Sequence, residues 1–324
     1  MGVVIDGKWT DGELPQETSQ SGQFKRADSS FRHWITADGS SGFKAEPGRY
    51  HLYVAHACPW AHRTLIYRAL KKLDGIISVA YAVPGIRPNG WAFERSAQYP
   101  DCTPDEVNNF HYLYEAYVAS NPNYTGKVTV PTLWDKKTKK IVNNESSEII
   151  RMLNSEFNAI TGDRADYYPA ALRSAIDEIN ERVYHNINNG VYRAGFAKTQ
   201  AAYEEAYDGL FETLDWLEDR LAKQRYLVGH QMTEADWRLF PTLVRFDVAY
   251  FSLFKCNRQR IADYPNLSNY MRELYQVPGI AGTVKPRYYV INYYSIPRVN
   301  PTLIIPKGTP VDLRLPHDRA RLAA

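Results

Sequence analysis

Cysteine is scarce in this sequence, with three residues in a chain of 324. So few cysteines cannot form a disulfide framework, which favours a protein of the reducing cytoplasm. Cys102 and Cys256 lie in no Cys-x-x-Cys pair and at no predicted helix start, so we interpret both as incidental. A thioredoxin-type dithiol is also excluded at the third cysteine, Cys58, because Ala61 takes the place of the second thiol.

Long apolar runs and a strong net charge are also missing. No uninterrupted apolar stretch approaches the ~20 residues that span a bilayer, and the N-terminus lacks the basic region and apolar core of a signal peptide. The net charge of +3 is too small to indicate a nucleic-acid partner. The one dense basic run, residues 136–140, has no interleaved aromatic residues and is typical of the solvated turn of a hairpin. We therefore predict neither a membrane segment nor a nucleic-acid site.

Cys58 is distinguished by its setting. Residues 50–55 are typical of a short buried strand, and Pro59 is well placed for the first turn of a helix. After it, apolar residues recur at helical spacing: Leu65, Ile66, Ala69, Leu70 and Leu73. At a helix N-terminus, unpaired N–H groups and the positive end of the dipole stabilise a thiolate and lower a thiol pKa from ~8.5 to ~3.5–7.5. We predict a reactive monothiol at Cys58, the alternative being a small buried side chain.

The chain is long enough for about two domains. Residues 1–48, rich in Gly, Ser, Asp and Gln, are predicted as an extended N-terminal arm. Residues 49–160 alternate strand and helix in the thioredoxin-like order, and residues 169–284 have the apolar spacing of long amphipathic helices. Residues 285–324, rich in Pro, Tyr and Arg and without a helical period, are predicted to wrap the surface as a C-terminal extension. The predicted fold class is therefore α/β plus all-α.

Apolar patterns within these domains predict the individual elements. The predicted strands are 50–55, 76–83 and a hairpin pair near Pro131 and Ile141; the predicted helices cover 60–73, 106–120, 170–186, 203–221 and 267–276, with two more opening near Ser146 and Thr233. A long insertion, residues 84–127, contains Trp91. Loops of this length are usually functional or carry local helices.

This order of domains resembles the architecture of the soluble glutathione transferases over residues 30–310. Val130-Pro131, before a strand, is similar to the cis-proline turn whose backbone pairs with the cysteinyl part of glutathione in that family. Glu145-Ser146 is similar to the pair that binds the γ-glutamyl end. There a carboxylate accepts from the α-amine, and a hydroxyl and N–H at a helix start donate to the α-carboxylate.

Other motifs narrow the resemblance within the family. Residues 58–63, with the sequence CPWAHR, resemble the cysteine-type branch and most closely the S-glutathionyl-hydroquinone reductases of the Xi class, which is related to the omega class. The insertion with Trp91, residues 188–197 and residues 292–294 match the same class. Residues 233–236 resemble the capping motif of the helical domain. The resemblance implies a thioredoxin-like N-terminal domain followed by the all-helical domain of this family.

The resemblance also implies a function. It is the reduction of aromatic S-glutathionyl-hydroquinones to hydroquinones by glutathione, through a cysteine–glutathione mixed disulfide. Cys58 would be the nucleophile, and Tyr192 would donate a proton to the leaving aromatic carbon. Tyr250 and Tyr293 would donate hydrogen bonds near the cysteine sulfur. The residues implied to contact glutathione, the co-substrate, are Trp91, Lys127, Val128, Thr129, Val130, Glu145 and Ser146. No metal and no tightly bound cofactor is implied, and a homodimer is expected.

Two other functions stay open at this point. An omega-like glutathione thiol transferase or dehydroascorbate reductase would share the cysteine and the glutathione site, and a transferase-like interaction module would have no catalysis. Single motifs also have simpler interpretations, since Glu145-Ser146 alone is commonly a helix cap. His56 and His62 flank the cysteine, but no carboxylate or further cysteine at ligand spacing joins them, which favours capping or packing roles.

Overall fold

The computed structural model of the chain describes residues 2–12, 18–308 and 311–322. The chain divides into two compact units, Met1–Glu17 with Arg26–Ala165 and Thr18–Lys25 with Asp166–Ala324. The short segment Thr18–Lys25 thus belongs to the unit formed by the second half of the chain. None of the described helices is both long enough and apolar enough to cross a membrane.

The first unit is thioredoxin-like and is built on a four-stranded sheet. The strands of this unit are β1 (Gly2–Ile5), β2 (Lys8–Asp11), β3 (Ile35–Thr36), β4 (Phe43–Lys44), β5 (Tyr50–Val54), β6 (Ser78–Tyr81), β7 (Thr132–Asp135) and β8 (Lys140–Asn143). The last four form the four-stranded sheet, and β1 with β2 and β3 with β4 form separate pairs. Its helices are α1 (Pro59–Leu70), α2 (Leu113–Ser120), α3 (Ser146–Ser155) and α4 (Asn158–Thr161). The sheet has the order β6-β5-β7-β8, with β5 parallel to β6 and antiparallel to β7. The predicted strand–helix–strand unit and hairpin are confirmed, and β5 and β7 are buried along their whole length.

The first 48 residues hold more structure than the extended arm expected from their composition. Strands β1 and β2 form an antiparallel hairpin, and Val4 exchanges two backbone hydrogen bonds with Gly126 at 3.0 and 2.9 Å. Val3 and Val4 are buried. Further along, the N–H of Phe31 donates to the side-chain oxygen of Asn144 at 2.9 Å. A few apolar and backbone groups therefore hold the hairpin and the region of Phe31 to the first unit, whereas Thr18–Lys25 belongs to the second unit.

Within the long insertion, residues 84–127, the carboxylate of Asp105 is a centre of hydrogen bonding. Asp105 accepts the N–H of Phe110 at 3.2 Å and the hydroxyl of Tyr53, on β5, at 2.9 Å. An aspartate that takes up backbone donors in this way favours a turn over a helix. The helix predicted over residues 106–120 accordingly begins only at Leu113.

The regular elements described in the second unit are helices, as predicted, and Thr18 and Phe24 form an isolated bridge. Its helices are α5 (Arg173–Val183), α6 (Gly190–Gly195), α7 (Gln200–Lys223), α8 (Glu234–Arg245), α9 (Phe251–Leu253), α10 (Pro265–Gln276) and α11 (Pro286–Tyr294). The single helix predicted over residues 170–186 is divided into a 3₁₀ turn, α5 and a π-helical turn, Tyr184–Asn188. A second π-helical turn, Phe246–Tyr250, follows α8.

The capping motif predicted at the start of α8 is confirmed. The N–H of Thr233 donates to the carboxylate of Asp236 at 2.7 Å in a reciprocal capping box. The same carboxylate accepts the N–H of Leu227 at 2.9 Å and the hydroxyl of Tyr270 at 2.7 Å. Burial raises the pKa of Asp236 in spite of these hydrogen bonds. This one side chain thus joins the start of α8 to the preceding loop and to α10.

The prediction that the chain lacks a helix from residue 285 onward is wrong. Pro286 opens α11, where the fixed φ of proline suits the first helical position. The buried side chains of this helix are tyrosines: Tyr288, Tyr289, Tyr293 and Tyr294. A search for aliphatic periodicity overlooks such a helix. Further along, the buried Arg319 donates to the carbonyl oxygens of Gln224 and Arg225, both at 2.6 Å, at the end of α7.

Candidate active site

Cys58 lies at the N-terminus of α1, where the sequence predicts it. It is the N-cap residue, with an extended backbone (φ −78°, ψ 122°), and Pro59 is the first residue of the helix. Its carbonyl accepts the N–H of His62 at 3.0 Å. The half-buried thiol donates to the carbonyl oxygen of Val130 at 3.3 Å. The sulfur therefore lies at the positive end of the helix dipole, a position that favours a thiolate.

The segment that meets this thiol is a cis-proline turn, because the peptide bond between Val130 and Pro131 is cis. The hydroxyl of Tyr117 holds the turn from one side, since it donates to the carbonyl of Thr129 at 3.0 Å and accepts the N–H of that residue at 3.2 Å. The side-chain amide of Asn144 donates to the Tyr117 hydroxyl at 3.1 Å. The sequence pattern assigns no role to Tyr117 or Asn144, because no local signal marks a side chain that acts across the fold.

Glu145 and Ser146 lie at the start of α3, and Glu145 is its N-cap. One carboxylate oxygen accepts the N–H and the hydroxyl of Ser147 at 2.9 and 2.8 Å, and the other accepts the hydroxyl of Ser29 at 3.1 Å. Burial raises the pKa of Glu145, but the Ser147 hydrogen bonds, the charge of Arg63 and the Ser29 hydrogen bond outweigh it, so the pKa lies below its ordinary value. Glu145 is thus a helix cap and also a fixed negative charge.

Arg63, on α1, is a residue of this region that sequence reasoning missed. It is buried, and its Nη1 donates to the hydroxyl of Ser146 at 3.3 Å. Its guanidinium carbon lies 4.6 Å from the centre of the Trp60 ring. A signal was available, because Arg63 precedes Ile66 and Leu70 by one and two helical turns and so lies on the apolar face of α1. A charge on such a face needs a partner.

The remaining residues implied for glutathione lie on two segments of the first unit. Trp91 is half-buried in the insertion, and its carbonyl accepts the N–H of Leu113 at 2.9 Å. Residues 127–129 are half-buried and lead directly into the cis-proline turn. The carbonyl of Lys127 accepts the hydroxyl of Tyr124 at 2.6 Å. Contact of Trp91 and residues 127–129 with glutathione stays a prediction.

In the second unit, three tyrosines from separate elements meet and form what we call the tyrosine cluster: Tyr192 on α6, Tyr250 at the end of a π-helical turn, and Tyr293 on α11. The hydroxyl of Tyr293 is central, 2.5 Å from that of Tyr192 and 2.9 Å from that of Tyr250. All three are buried. Burial raises the pKa of Tyr250 and Tyr293 well above the ordinary value, so both hydroxyls carry their protons at neutral pH. The roles implied for the three tyrosines toward substrate and sulfur stay predictions.

The tyrosine cluster packs against Phe254. The ring centres of Tyr192 and Tyr250 lie 5.7 and 5.4 Å from that of Phe254. Gly195, on α6, is so close that a Cβ there would lie 2.2 Å from Cγ of Phe254. Only glycine permits this approach of α6 to the ring.

The other two cysteines lie in settings that disfavour reaction. Both are buried, and burial raises the pKa of the Cys102 thiol to about 12 and also raises that of Cys256. His56 stacks on Tyr81 with ring centres 4.4 Å apart, which is a packing role. Within residues 2–12, 18–308 and 311–322, no group of three or more His, Cys, Asp or Glu side chains is arranged to hold a metal ion.

A thioredoxin-like unit with a cysteine at the start of its first helix, followed along the chain by a helical unit, is the architecture of a glutathione transferase. Residues 57–156 match the family described as Glutathione S-transferase, N-terminal domain, and residues 200–273 match Glutathione S-transferase, C-terminal domain. The chain belongs to the glutathione transferase family, and its similarity to individual relatives places it in the Xi class.

Three of these relatives are informative. The chain is 53% identical over 309 residues to glutathionyl-hydroquinone reductase PcpF of Sphingobium chlorophenolicum, which covers 95% of this chain and 96% of that protein. The glutathione-bound structure of YqjG, a glutathione transferase homolog from Escherichia coli K-12, has a TM-score of 0.90 and 48% identity, covering 98% of this chain and 99% of that one. A Xi class transferase from Natrialba magadii has a TM-score of 0.92 and 44% identity, covering 100% and 98%.

Proposed function

We propose that this protein is a glutathione-dependent reductase of S-glutathionyl-hydroquinones. The observation that carries the proposal is the Cys58 thiol at the N-terminus of α1, 3.3 Å from the carbonyl of Val130 and next to the cis peptide bond of Pro131. The substrate class is supported by the similarity, over nearly the whole chain, to a glutathionyl-hydroquinone reductase. An omega-like thiol transferase is the weaker candidate because the relatives with an omega-like name are less similar to this chain, at 37–43% identity, than PcpF at 53%.

Glutathione binds to the first unit in this proposal. The carboxylate of Glu145 accepts the α-amine of glutathione, and the hydroxyl and N–H of Ser146 donate to its α-carboxylate at the N-terminus of α3. The backbone N–H and C=O of Val130 pair with the cysteinyl unit as an added strand would. Trp91 and residues 127–129 complete the glutathione site. The low pKa of Glu145 supports this arrangement, because the carboxylate is ionised at neutral pH.

The reaction has two steps. The thiolate of Cys58 attacks the sulfur of the glutathionyl group, so an S–S bond forms, the bond from sulfur to the aromatic carbon breaks, and Tyr192 gives its proton to that carbon. A second glutathione then attacks the mixed disulfide and releases glutathione disulfide and the Cys58 thiolate. Tyr250 and Tyr293 act as hydrogen-bond donors that favour the ionised form of the reacting sulfur. Ping-pong kinetics follow from the covalent intermediate.

The proposal includes a homodimer that works in the cytoplasm. Two-fold dimers are the commonest closed assembly of soluble proteins, and glutathione chemistry needs a reducing compartment. Light scattering at micromolar concentration should give a mass near two chains of 37.2 kDa. A mass near one chain contradicts the dimer and leaves the reaction unaffected.

Replacement of the nucleophile tests the function. Cys58→Ser should bind glutathione normally in calorimetry and lose product formation from a glutathionyl-hydroquinone by about 10³-fold or more, because a hydroxyl is a far poorer nucleophile. Cys102→Ser is the matched control and should keep the full rate. Most of the rate surviving in Cys58→Ser contradicts the mechanism. Turnover of dehydroascorbate alone indicates the omega-like function, and turnover of neither substrate indicates an interaction module.

A further inference from the structure

Arg245 is a buried charged residue beside the tyrosine cluster, and the proposed function gives this arginine no role. It ends α8, and the π-helical turn Phe246–Tyr250 follows directly. Its exposed fraction is 0%. Its Nη1 donates to the carbonyl of Pro241 at 2.8 Å, and its guanidinium carbon lies 3.7 Å from the centre of the Tyr289 ring. The carbonyl and the ring face stabilise a cation in a place that water does not reach.

The backbone places this charge close to the cluster. Arg245 and Tyr250 are five residues apart, which is the hydrogen-bond spacing of a π-helix, so they share a face of that element. Tyr289 and Tyr293 are four residues apart and share a face of α11. The two faces meet twice, once where Arg245 contacts Tyr289 and once where the hydroxyls of Tyr250 and Tyr293 lie 2.9 Å apart. The Arg245–Tyr289 contact and the Tyr250–Tyr293 contact are therefore neighbouring contacts between the same two stretches of chain, residues 245–250 and α11.

We infer that Arg245 is a positioning residue for the reductase reaction, whose charge stabilises the negative charge that the tyrosine cluster holds after Tyr192 protonates the leaving carbon. The inference rests on the proposed function. A nearby opposite charge favours the ionised form of an acid, and screening is weak at a buried site.

The electrostatics of the cluster have the direction that this role requires. Burial and the neighbouring Tyr192 raise the pKa of Tyr250, whereas the charge of Arg245 lowers it. Burial, Tyr192 and Tyr250 raise the pKa of Tyr293, and the same arginine again lowers it. Arg245 is thus a group that opposes the large penalty of placing a tyrosinate in this part of the second unit.

The proton that Tyr192 gives to the hydroquinone is replaced through the hydroxyl contacts of the tyrosine cluster. The O–H bond of Tyr192 breaks as the C–H bond of the hydroquinone forms. Once the S–S bond has formed, the sulfur is no longer a thiolate that accepts from Tyr250 and Tyr293. The proton of Tyr293 then moves to Tyr192 and that of Tyr250 moves to Tyr293, across contacts of 2.5 and 2.9 Å, so the negative charge comes to the oxygen of Tyr250. The second glutathione loses its thiol proton as it attacks the mixed disulfide, and that proton returns through the same chain. In the part of the chain that the structure describes, the charged or titratable groups that act on the hydroxyls of Tyr250 and Tyr293 include the other tyrosines of the cluster and Arg245 on α8, which itself contacts the ring of Tyr289 on α11.

A fluorinated tyrosine tests the charge without using the reaction. 2,3,5-Trifluorotyrosine in place of Tyr250 has a far more acidic phenol, and its ionisation is followed by absorbance across the pH range in which the protein is folded. Arg245→Gln keeps a donor for the Pro241 carbonyl and removes the charge, and it should raise the pKa of this phenol by about one unit or more. Arg245→Lys should reverse most of that rise, because the charge remains. An unchanged titration in Arg245→Gln overturns the inference, whether or not the chain reduces glutathionyl-hydroquinones.

Kinetics then separate a charge effect from a loss of packing. Arg245→Gln should lower kcat about tenfold and leave KM for glutathione unchanged. The loss should nearly vanish in a Tyr192→Phe background, because the cluster then takes up no charge. Arg319→Met, which removes a buried arginine whose side chain bonds to carbonyl oxygens at the end of α7, is the control for lost packing. Equal losses in Arg319→Met and Arg245→Gln, or an undiminished loss in the Tyr192→Phe background, overturn the inference. Arg245→Met replaces Arg245→Gln if the latter does not fold.

Discussion

The proposed glutathione site of the first unit and the tyrosine cluster of the second unit are built from different parts of the polypeptide. In the first unit, the backbone of Val130, the N-terminus of α1 and the N-terminus of α3 present fixed donors and acceptors, with Cys58 and Glu145 at the two helix starts. In the second unit, the cluster consists only of side-chain hydroxyls from α6, a π-helical turn and α11.

The difference between backbone groups and side-chain hydroxyls suits two different tasks, ligand binding and proton transfer. Backbone groups and helix termini bind a ligand of constant structure, such as a tripeptide, because their positions follow from the fold. Hydroxyls that bond to one another can share a proton and a charge, and their pKa depends on burial and on nearby charges such as Arg245. We expect changes in the first unit to alter glutathione binding, and changes in the tyrosine cluster to alter proton transfer.

Of the substitutions that test this difference between the two units, Tyr192→Phe is expected to have the largest effect on kcat. Removal of the proton donor should lower kcat for a glutathionyl-hydroquinone about 10²-fold and leave the Kd for glutathione unchanged. Steady-state kinetics and calorimetry on the same preparation measure both quantities. Tyr203→Phe, which changes a partly exposed tyrosine bonded to the carbonyl of Lys255, is the control and should keep the wild-type rate. A large change in the Kd for glutathione with an unchanged kcat in Tyr192→Phe would contradict the assignment of glutathione binding to the first unit and proton transfer to the tyrosine cluster.

A smaller effect is expected from Gly195→Ala. The new Cβ would lie 2.2 Å from Cγ of Phe254, so the ring that supports the tyrosine cluster must move. Overpacking of this kind should lower the free energy of unfolding by about 1–3 kcal/mol, which thermal or denaturant unfolding measures. It should also lower kcat without changing the Kd for glutathione.

Gly190→Ala, on the same helix, is the matched control for Gly195→Ala. Its Cβ would meet only the carbonyl oxygen of His185, at an ordinary 3.5 Å. It should be neutral or stabilise the protein by up to ~1 kcal/mol, because alanine loses less conformational entropy in a helix. Equal free energies of unfolding and equal kcat values in the two variants would show that the close approach of Gly195 to Phe254 does not support the tyrosine cluster.

Local sequence patterns predict much of the first unit. The strand before Cys58-Pro59 and the acidic cap at Glu145 are set by neighbours in sequence, and each lies where it is predicted. The cis-proline turn was implied by the family resemblance, and the Val130-Pro131 bond is cis. Tyr117 and Asn144 were missed because their hydrogen bonds join a helix, a turn and a loop. Such contacts depend on the three-dimensional arrangement of the elements, which no local period records.

The second unit is less predictable for a related reason. The capping box at Thr233 and Asp236 is local and was found. Helix α11 was missed because its buried side chains are tyrosines, whose hydroxyls also suit a surface. The contact of Arg245 with Tyr289 joins the end of α8 to α11, and the spacing of residues within either helix does not record a contact between them.

The smallest effect concerns Glu145, whose cap role and binding role can be separated. Glu145→Gln keeps an acceptor for the N–H of Ser147 but removes the charge, so the Kd for glutathione should rise about tenfold at pH 7. Because the pKa of Glu145 lies below its ordinary value, the wild type should keep this advantage as pH falls from 7 to 5 and lose it only when the carboxylate is protonated below that range. Calorimetry with glutathione at both pH values measures the ratio, with Glu148→Gln as the control on the same helix. Equal affinities at pH 7 would show that Glu145 is a helix cap alone, and an advantage already lost at pH 5 would contradict the lowered pKa.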